Sequence, residues 1–381
     1  ESRARERALP ELMDLVLQAK LPVVAALGSG ASPQALLEVI GHGKRASTIS
    51  KRVRAWRKAE QFFYLRHGCH WPRDLAMVLG WLRMLRDEFS WSALQGGVEA
   101  LSFMERAGGI DDSAKLSTHS AIASMLKEAA LTCKQGTRAT RKAPPTPLVL
   151  FTMFERTVMN NEIPHFVRMV AWFKLVKFWC TLRFDDHRGL VPSRIRMLRS
   201  GLRGTLVRTK TSGVGKSREE LEVVIDHAAF LFMPDWLQTG WALWELVGTS
   251  RDYFMGLPTP DLMGMRQVEA KYAHAVAMDH ALLQQLKNSS GQPLLHHAVA
   301  CEFWTLHSDR ASLPSFAACL SEVPPEWIED LGRWSKSMSA TYIRTHLARV
   351  RSIQRWVAEA ARQNARIDEE EHWSDFAVFL M

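Results

Sequence analysis

Two short polar motifs in the C-terminal half of the chain carry residues suited to binding an anion. In HSDR, His307 and Arg310 are three residues apart, which places both side chains on one face of a helix. An imidazole and a guanidinium so placed could hold a phosphate between them. In LRFDD, Arg183 follows an apolar helical run, and Asp186 is well placed to orient it. Taken singly, each motif is a weak signal, since a pattern such as HxxR is common by chance.

Two further residues complete this candidate set. Lys210 lies in RTKTSG, at or near the turn of a predicted β-hairpin, from which a lysine could reach into a site below it. Tyr342 is one of only four tyrosines, and it lies between a Trp-containing turn, LGRW, and a basic helix. Along the chain the set reads Arg183, Lys210, His307, Arg310, Tyr342.

The elements that would position these residues are mostly helices. Apolar residues recur at helical spacing over residues 47–66, 74–87, 91–107, 117–133, 147–158, 163–181, 236–247, 277–288, 293–305, 312–320, 325–332 and 339–364. Two β-prone runs, 205–211 and 220–225, flank a glycine-rich turn and predict a hairpin, the only strand region that we expect. The sequence therefore predicts a mainly α protein with one small sheet.

The length of 381 residues indicates about two domains. Residues 134–146 are polar, basic and end in prolines, which is typical of a linker. We therefore expect an N-terminal segment (1–34), a helical domain (35–133), a basic linker (134–146) and a larger domain (147–381) that ends in a helix and a tail.

The net charge of +9 favours a polyanionic partner, nucleic acid first. Residues 43–58 hold seven basic residues and no acid, and hydroxyl groups at the start of the predicted helix suit phosphate. A solvated helix face is the alternative for any single basic cluster. The predicted nucleic-acid contacts are Lys44, Arg45, Ser47, Thr48, Lys51, Arg52 and Arg54, the linker residues Arg138, Arg141 and Lys142, and Arg208 on the hairpin.

Several classes of site are not expected. Five cysteines without a CxxC pair argue against a disulfide framework and a zinc site, and they fit a reducing, intracellular compartment. GSGASP and SGVGKS each lack part of the nucleotide-binding motif that they partly match. The apolar runs are interrupted by charged residues or proline, so no membrane span is predicted.

In their order and on these elements, the five residues resemble the active site of the tyrosine recombinases, the family of phage-type integrases and their relatives. The family's motifs read here LRFDD, RTKT, HSDR, LGRW and TYIR, and residues 43–110 resemble its helical core-binding domain. Asp186 stands where the family usually has Glu. Arg333 stands where it has His or Trp, with Trp334 next, and either could fill that sixth position. The LGRW and TYIR pair is most similar to recombinases of eukaryotic mobile elements.

The resemblance implies a catalytic domain at 147–381 and a site-specific recombinase or integrase. Such an enzyme cuts and rejoins double-stranded DNA through a 3′-phosphotyrosine, as a tetramer and without metal, ATP or other cofactor. Arg183 and Arg310 would neutralise the phosphate, with Asp186 in support. His307 would accept the proton of the nucleophile Tyr342. Lys210 would protonate the leaving 5′-oxygen. The protein would be associated with DNA inside the cell, in the nucleus of a eukaryote.

Three alternatives remain open at this point. A type IB topoisomerase would share the chemistry but relax DNA as a monomer. A domesticated mobile-element protein would keep the DNA clamp and lack catalysis. A helical RNA-binding protein would not need the five residues to converge.

Overall fold

The computed structural model describes residues 2–26, 28, 32–89, 91–136, 144–206, 221–248, 250–288, 290–332 and 343–363, with the backbone only for 2–4, 133–136 and 343–345. The chain divides into two compact units, Glu1–Arg141 and Lys142–Met381. Helices dominate both units, and short antiparallel strands occur in the second. The mainly α fold with a small β-sheet that the sequence predicts is therefore confirmed. Within these ranges, every helix is too short or too polar to cross a membrane.

The described part of the N-terminal unit contains α1 (Ser2–Gln18), α2 (Pro22–Ala26), α3 (Pro33–Gly41), α4 (Ala46–His67), α5 (Leu75–Glu88), α6 (Trp91–Ala107) and α7 (Ser120–Gly136). The central helix is α4, which packs against α1, α5 and α6. Its buried residues recur every three or four positions, at Ile49, Val53, Trp56, Ala59 and Phe63. Because α1 packs on α4, most of the expected N-terminal segment 1–34 lies in the same unit as the helices that follow it.

The bounds of α4 and α5 follow local signals. Gly68 has a left-handed backbone (φ 62°), and its N–H donates to the carbonyl of Tyr64, which ends α4. Asp74 caps α5, because its carboxylate accepts the N–H of Met77 at 2.9 Å. The predicted helices 47–66 and 74–87 lie within one residue of the observed bounds.

The described part of the C-terminal unit contains α8 (Leu148–Met159), α9 (His165–Trp179), α10 (Phe184–Arg188), α11 (Trp236–Glu245), α12 (Tyr272–Gln285), α13 (His297–Glu302), α14 (Ser308–Ala317), α15 (Pro325–Gly332) and α16 (Ile343–Gln363). Every residue of α9 from Phe166 to Trp179 is buried, among α8, α11, α12 and α14. Gly240 of α11 lies against Trp172, where a Cβ would come within 2.1 Å of the indole. Glycine therefore permits the close approach of α11 to α9.

A three-stranded antiparallel sheet follows α10, in the order β1 (Leu190–Leu198), β2 (Gly201–Leu206) and β3 (Leu221–Asp226). The predicted hairpin corresponds to β2 and β3, which pair from Leu206 opposite Leu221 to Gly201 opposite Asp226. Its turn, including Lys210 and Arg208, lies outside the described residues. The expectation of a single strand region is wrong, because β1 pairs with β2 and a second hairpin joins β4 (Gly256–Pro258) to β5 (Met265–Glu269).

The turn between β1 and β2 requires glycine. Gly201 has φ 116°, and a Cβ on it would lie 2.0 Å from the carbonyl oxygen of Ile225 on β3. This glycine lets the β1–β2 turn close against the third strand.

Two predicted helices begin earlier than expected. Tyr272 starts α12, where we expected 277, and Ser308 starts α14, where we expected 312. The N–H of Ser308 donates to the carbonyl of Thr305 at 2.8 Å, and its Oγ accepts the N–H of Thr305 at 3.1 Å. This turn leads directly into α14.

Two buried side chains tie the strands to the helices. Glu155 of α8 accepts the N–H groups of Leu231 (2.8 Å), Phe232 (2.7 Å) and Met233 (2.9 Å), in the segment after β3. Burial raises the pKa of Glu155 to about 7 despite these three donors.

The second is Gln354 of α16, which joins that helix to α9 and β3. Its side-chain carbonyl accepts the N–H of Asp226 at 2.9 Å. Its amide donates to the carbonyls of Trp179 (2.8 Å) and Val224 (2.9 Å). All of its hydrogen-bonding groups are thereby used inside the core.

Candidate active site

Arg183 and Asp186 lie at the start of α10, just after the central helix α9. The N–H of Arg183 donates to Oδ2 of Asp186 at 3.2 Å, and its guanidinium lies 4.0 Å from the same oxygen. Asp186 is buried, whereas about a third of the Arg183 side chain is exposed. The buried carboxylate of Asp186 therefore lies beside Arg183, and part of the Arg183 side chain remains accessible.

Arg310 reaches the same carboxylate from α14. Its Nη1 lies 3.6 Å from Oδ2 of Asp186 and donates to the carbonyl of Thr181 at 3.2 Å. Thr181 has a left-handed backbone (φ 48°), which turns the chain at the end of α9. One oxygen of Asp186 thus lies between the guanidinium groups of Arg183 and Arg310, which are far apart in sequence.

His307 lies beside this pair but precedes α14 rather than belonging to it. It occupies the position before the first helical residue, and its backbone angles (φ −87°, ψ −22°) are already helical, so it lies about one turn before Arg310. Partial burial lowers the pKa of His307, and the nearby charges of Arg310, Lys177 and Arg183 lower it further. At pH 7 the imidazole is therefore neutral and able to accept a proton.

The remaining predicted catalytic residues, Lys210, Arg333, Trp334 and Tyr342, lie outside the described residues. The chain on either side of 333–342 is described. Thr181 Oγ1 donates to the carbonyl of Leu331, at the end of α15. Asp330 of α15 pairs with His346 (3.6 Å) and Arg349 (3.2 Å) of α16. The chain before this segment thus lies against the turn whose carbonyl binds Arg310.

Sequence reasoning missed a group of four buried charged residues below HSDR. Lys174 Nζ lies 2.5 Å from Asp279 and 2.9 Å from Oδ1 of Asp309. Lys177 Nζ lies 3.1 Å from Oδ2 of Asp309 and also donates to the carbonyl of Leu306. The available signal in the sequence is a pair of lysines three residues apart within the long apolar run of α9.

The environment of these lysines differs. Burial opposes the charged form of Lys174, but the carboxylates of Asp279 and Asp309 outweigh it and raise its pKa. Burial prevails at Lys177 and lowers its pKa. His187 of α10 lies nearby, and burial followed by the charge of Lys177 lowers its pKa to about 3. The His187 imidazole is therefore neutral, and it packs against the ring of Phe254 at 4.7 Å.

The predicted nucleic-acid contacts on α4 divide into two groups. Ser47, Thr48, Lys51 and Arg54 are exposed, and Lys58 continues the same exposed side of the helix. Arg52 is paired with Glu99 of α6.

At the N-terminal end of α4, Arg45 is half-buried. The half-buried Lys44 donates to the carbonyl of Ile40 at 2.7 Å, and burial lowers the pKa of Lys44. Arg138, Arg141 and Lys142 lie outside the described residues. The exposed cations form a stripe along α4, which we name the α4 stripe: Lys51, Arg54 and Lys58.

No protein-family model matches the chain, and no curated protein matches it. Among solved structures, the chain is similar to "Crystal structure of XerH site-specific recombinase bound to difH substrate: pre-cleavage complex". The TM-score is 0.41 and the sequence identity is 10%, over 90% of this chain and 95% of that chain. At these values the likeness establishes neither a family nor an activity.

Proposed function

We propose that the chain is a DNA strand-transferase of the tyrosine recombinase type. The observation that carries the proposal is the convergence of Arg183 and Arg310 on Asp186, with His307 near enough for both guanidinium charges to lower its pKa. Two guanidinium groups held by one buried carboxylate are suited to the non-bridging oxygens of a phosphodiester, because each offers paired N–H donors in a fixed plane. Such preorganised positive charge is commonly the largest contribution to phosphoryl-transfer catalysis.

The proposed reaction transfers a phosphoryl group from DNA to the protein and back. Tyr342 Oη forms a bond to phosphorus while the bond to the 5′-oxygen breaks, which leaves a 3′-phosphotyrosine and a free 5′-hydroxyl. The phenolic proton passes to the neutral imidazole of His307, and Lys210 gives a proton to the leaving oxygen. Attack of a 5′-hydroxyl from another strand reverses these steps. The adduct conserves the bond energy, so the scheme uses no ATP and no metal.

The proposed partner is double-stranded DNA, bound by a homo-oligomer, with the tetramer as the assembly that exchanges strands. The α4 stripe supplies phosphate contacts from the N-terminal unit, together with Ser47 and Thr48 at the start of that helix. Arg138, Arg141, Lys142 and Arg208 are proposed to extend these contacts. The sixth catalytic position is assigned to Arg333 or Trp334.

The test is covalent trapping on DNA. Wild-type protein, Tyr342→Phe and the matched control Tyr64→Phe are incubated with fragmented genomic DNA of the source organism and denatured in SDS. The exposed Tyr64 lies on α4 of the N-terminal unit, whereas the residues of the candidate site belong to the C-terminal unit. We expect DNA linked through its 3′ end to wild type and to Tyr64→Phe, and none linked to Tyr342→Phe.

Other outcomes separate the alternatives. Binding at low salt without an adduct from any of the three proteins would contradict the strand-transfer proposal and favour a DNA clamp. If the protein forms the adduct and relaxes supercoiled DNA as a monomer, without exchanging strands between two DNA sites, a topoisomerase would be favoured. An adduct retained by Tyr342→Phe would place the nucleophile elsewhere.

A further inference from the structure

Lys177 of α9 contacts the chain immediately before each of the two candidate phosphate ligands on HSDR. Its ammonium donates to the carbonyl of Leu306, the residue before His307. It also lies 3.1 Å from Oδ2 of Asp309, the residue before Arg310. The Lys177 side chain is 4% exposed. One buried cation therefore holds both ends of the short segment that bears the imidazole and the guanidinium.

Asp309 is held from further directions. Its Oδ1 lies 2.9 Å from Nζ of Lys174 and accepts the hydroxyl of Thr146 at 3.1 Å. The N–H of Thr146 donates to Oγ of Ser312, one turn along α14, at 2.7 Å. Asp309 is wholly buried. With both oxygens bonded, its carboxylate has a single orientation.

The charges in this group are balanced, with Lys174 and Lys177 facing Asp279 and Asp309. A buried group of this kind is a poor way to gain stability, because well-packed apolar side chains commonly serve as well or better. A contribution to stability therefore does not explain why these charged residues lie below the candidate site. The contacts of Lys177 with Leu306 and Asp309 suggest a different role.

We propose that Lys177 and Asp309 are positioning residues that set the distance between the His307 imidazole and the Arg310 guanidinium without touching DNA. The proposal rests on the strand-transfer function proposed above. Lys177 acts through the Leu306 carbonyl and through Asp309, and α9, buried on all sides, supplies a rigid base. Displacement of catalytic groups by about 1 Å slows a reaction on the order of 100-fold.

The test compares Lys177→Met with Lys174→Met. Both changes remove one buried ammonium from the same helix and leave Asp309 with one lysine, but only the first frees the Leu306 carbonyl. The rate of adduct formation is measured on the fragmented genomic DNA of the trapping experiment. We expect a loss on the order of 100-fold for Lys177→Met and less than about tenfold for Lys174→Met, with DNA affinity within about twofold in both.

A double variant separates positioning from stability. Lys177→Met with Asp309→Asn leaves Lys174 paired with Asp279, so the buried charges balance again. We expect its melting temperature to recover relative to Lys177→Met, while the rate of adduct formation stays low. Recovery of rate and melting temperature together would mean a merely structural role and would overturn the proposal. Equal slowing by Lys174→Met would also overturn it.

A second readout does not depend on catalysis. The pKa of the His307 imidazole is followed by NMR in histidine-labelled protein, with His307→Gln to identify the signal. Lys177→Met removes a nearby positive charge, so we expect the His307 pKa to rise, and to rise less in Lys174→Met. An unchanged His307 pKa in Lys177→Met would mean that the Lys177 ammonium does not lie near the imidazole, and it would overturn the proposal. If wild type forms no adduct, the proposed function fails, and this titration still decides whether Lys177 lies beside His307.

Discussion

Replacing Glu155 with glutamine should remove a pH-dependent part of the free energy of unfolding of the C-terminal unit. Glu155 is fully buried, and its carboxylate accepts three backbone N–H groups from the segment after β3. Burial raises its pKa to about 7. The folded protein therefore holds a proton that the unfolded chain releases at lower pH.

The size of the effect follows from the two pKa values. A rise from 4.5 to about 7, at about 1.4 kcal/mol for each pH unit, corresponds to roughly 3 kcal/mol. Because the folded pKa of Glu155 is the higher one, this stabilisation is fully present below pH 4.5. It is lost as the pH rises through about 7. The amide of Glu155→Gln does not titrate, and it loses at least one of the three hydrogen bonds at every pH, which adds a constant difference.

The assay is urea unfolding of wild type and Glu155→Gln between pH 4.5 and pH 8, followed by tryptophan fluorescence. The chain has two compact units, so the transition to analyse is the one that the substitution moves. We expect the free energy of unfolding of wild type, minus that of the variant, to fall by roughly 3 kcal/mol across this range.

A difference that rises with pH would refute the reasoning. It would mean that the three N–H donors outweigh burial and hold the pKa of Glu155 below its ordinary value, as hydrogen bonding to a carboxylate can do. A difference that is flat with pH would mean that the folded and unfolded states bind this proton equally.

Two further predictions concern the α4 stripe and the glycines. Arg54→Ala should reduce the slope of log affinity against log salt concentration for duplex DNA by about 1. Arg52→Ala should leave this slope unchanged, because the Arg52 guanidinium is already paired with Glu99. Equal slopes for the two variants would mean that the α4 stripe does not contact DNA phosphates. Gly201→Ala should destabilise the protein by at least about 2 kcal/mol in thermal unfolding, since its φ is 116° and the added Cβ would meet backbone. Gly80→Ala, in open space on α5, should instead stabilise by about 0.5–1 kcal/mol; the reverse order would contradict both arguments.

The sequence predicted the helices better than the strands, for a physical reason. In α4 the buried residues recur every three or four positions because one side of the helix faces the core. β1 has no comparable pattern. Pro192 interrupts it, and a bulge between Leu190 and Ile195 breaks the alternation of buried and exposed residues.

The candidate site was accessible to sequence reasoning only in part. Arg183, Asp186, His307 and Arg310 belong to short motifs whose order is informative, and the structure places both guanidinium groups within 4.0 Å of the Asp186 carboxylate.

The residues that pair with a buried lysine cannot be predicted from a local sequence pattern. Lys174 forms ion pairs with Asp279 and Asp309, which lie more than a hundred residues further along the chain. Their meeting depends on how α9, α12 and α14 pack.

The position of Gln354 has a consequence for synthesis of the chain on the ribosome. The N-terminal unit is complete in sequence before the C-terminal unit begins, so its core can form while translation continues. The core of the C-terminal unit cannot form in full while its last helix is still missing. Until α16 has emerged, the N–H of Asp226 and the carbonyls of Trp179 and Val224 lack the side chain that binds them. We therefore expect nascent chains to expose the end of α9 and β3 until α16 has been made, which is the interval when a chaperone would be needed.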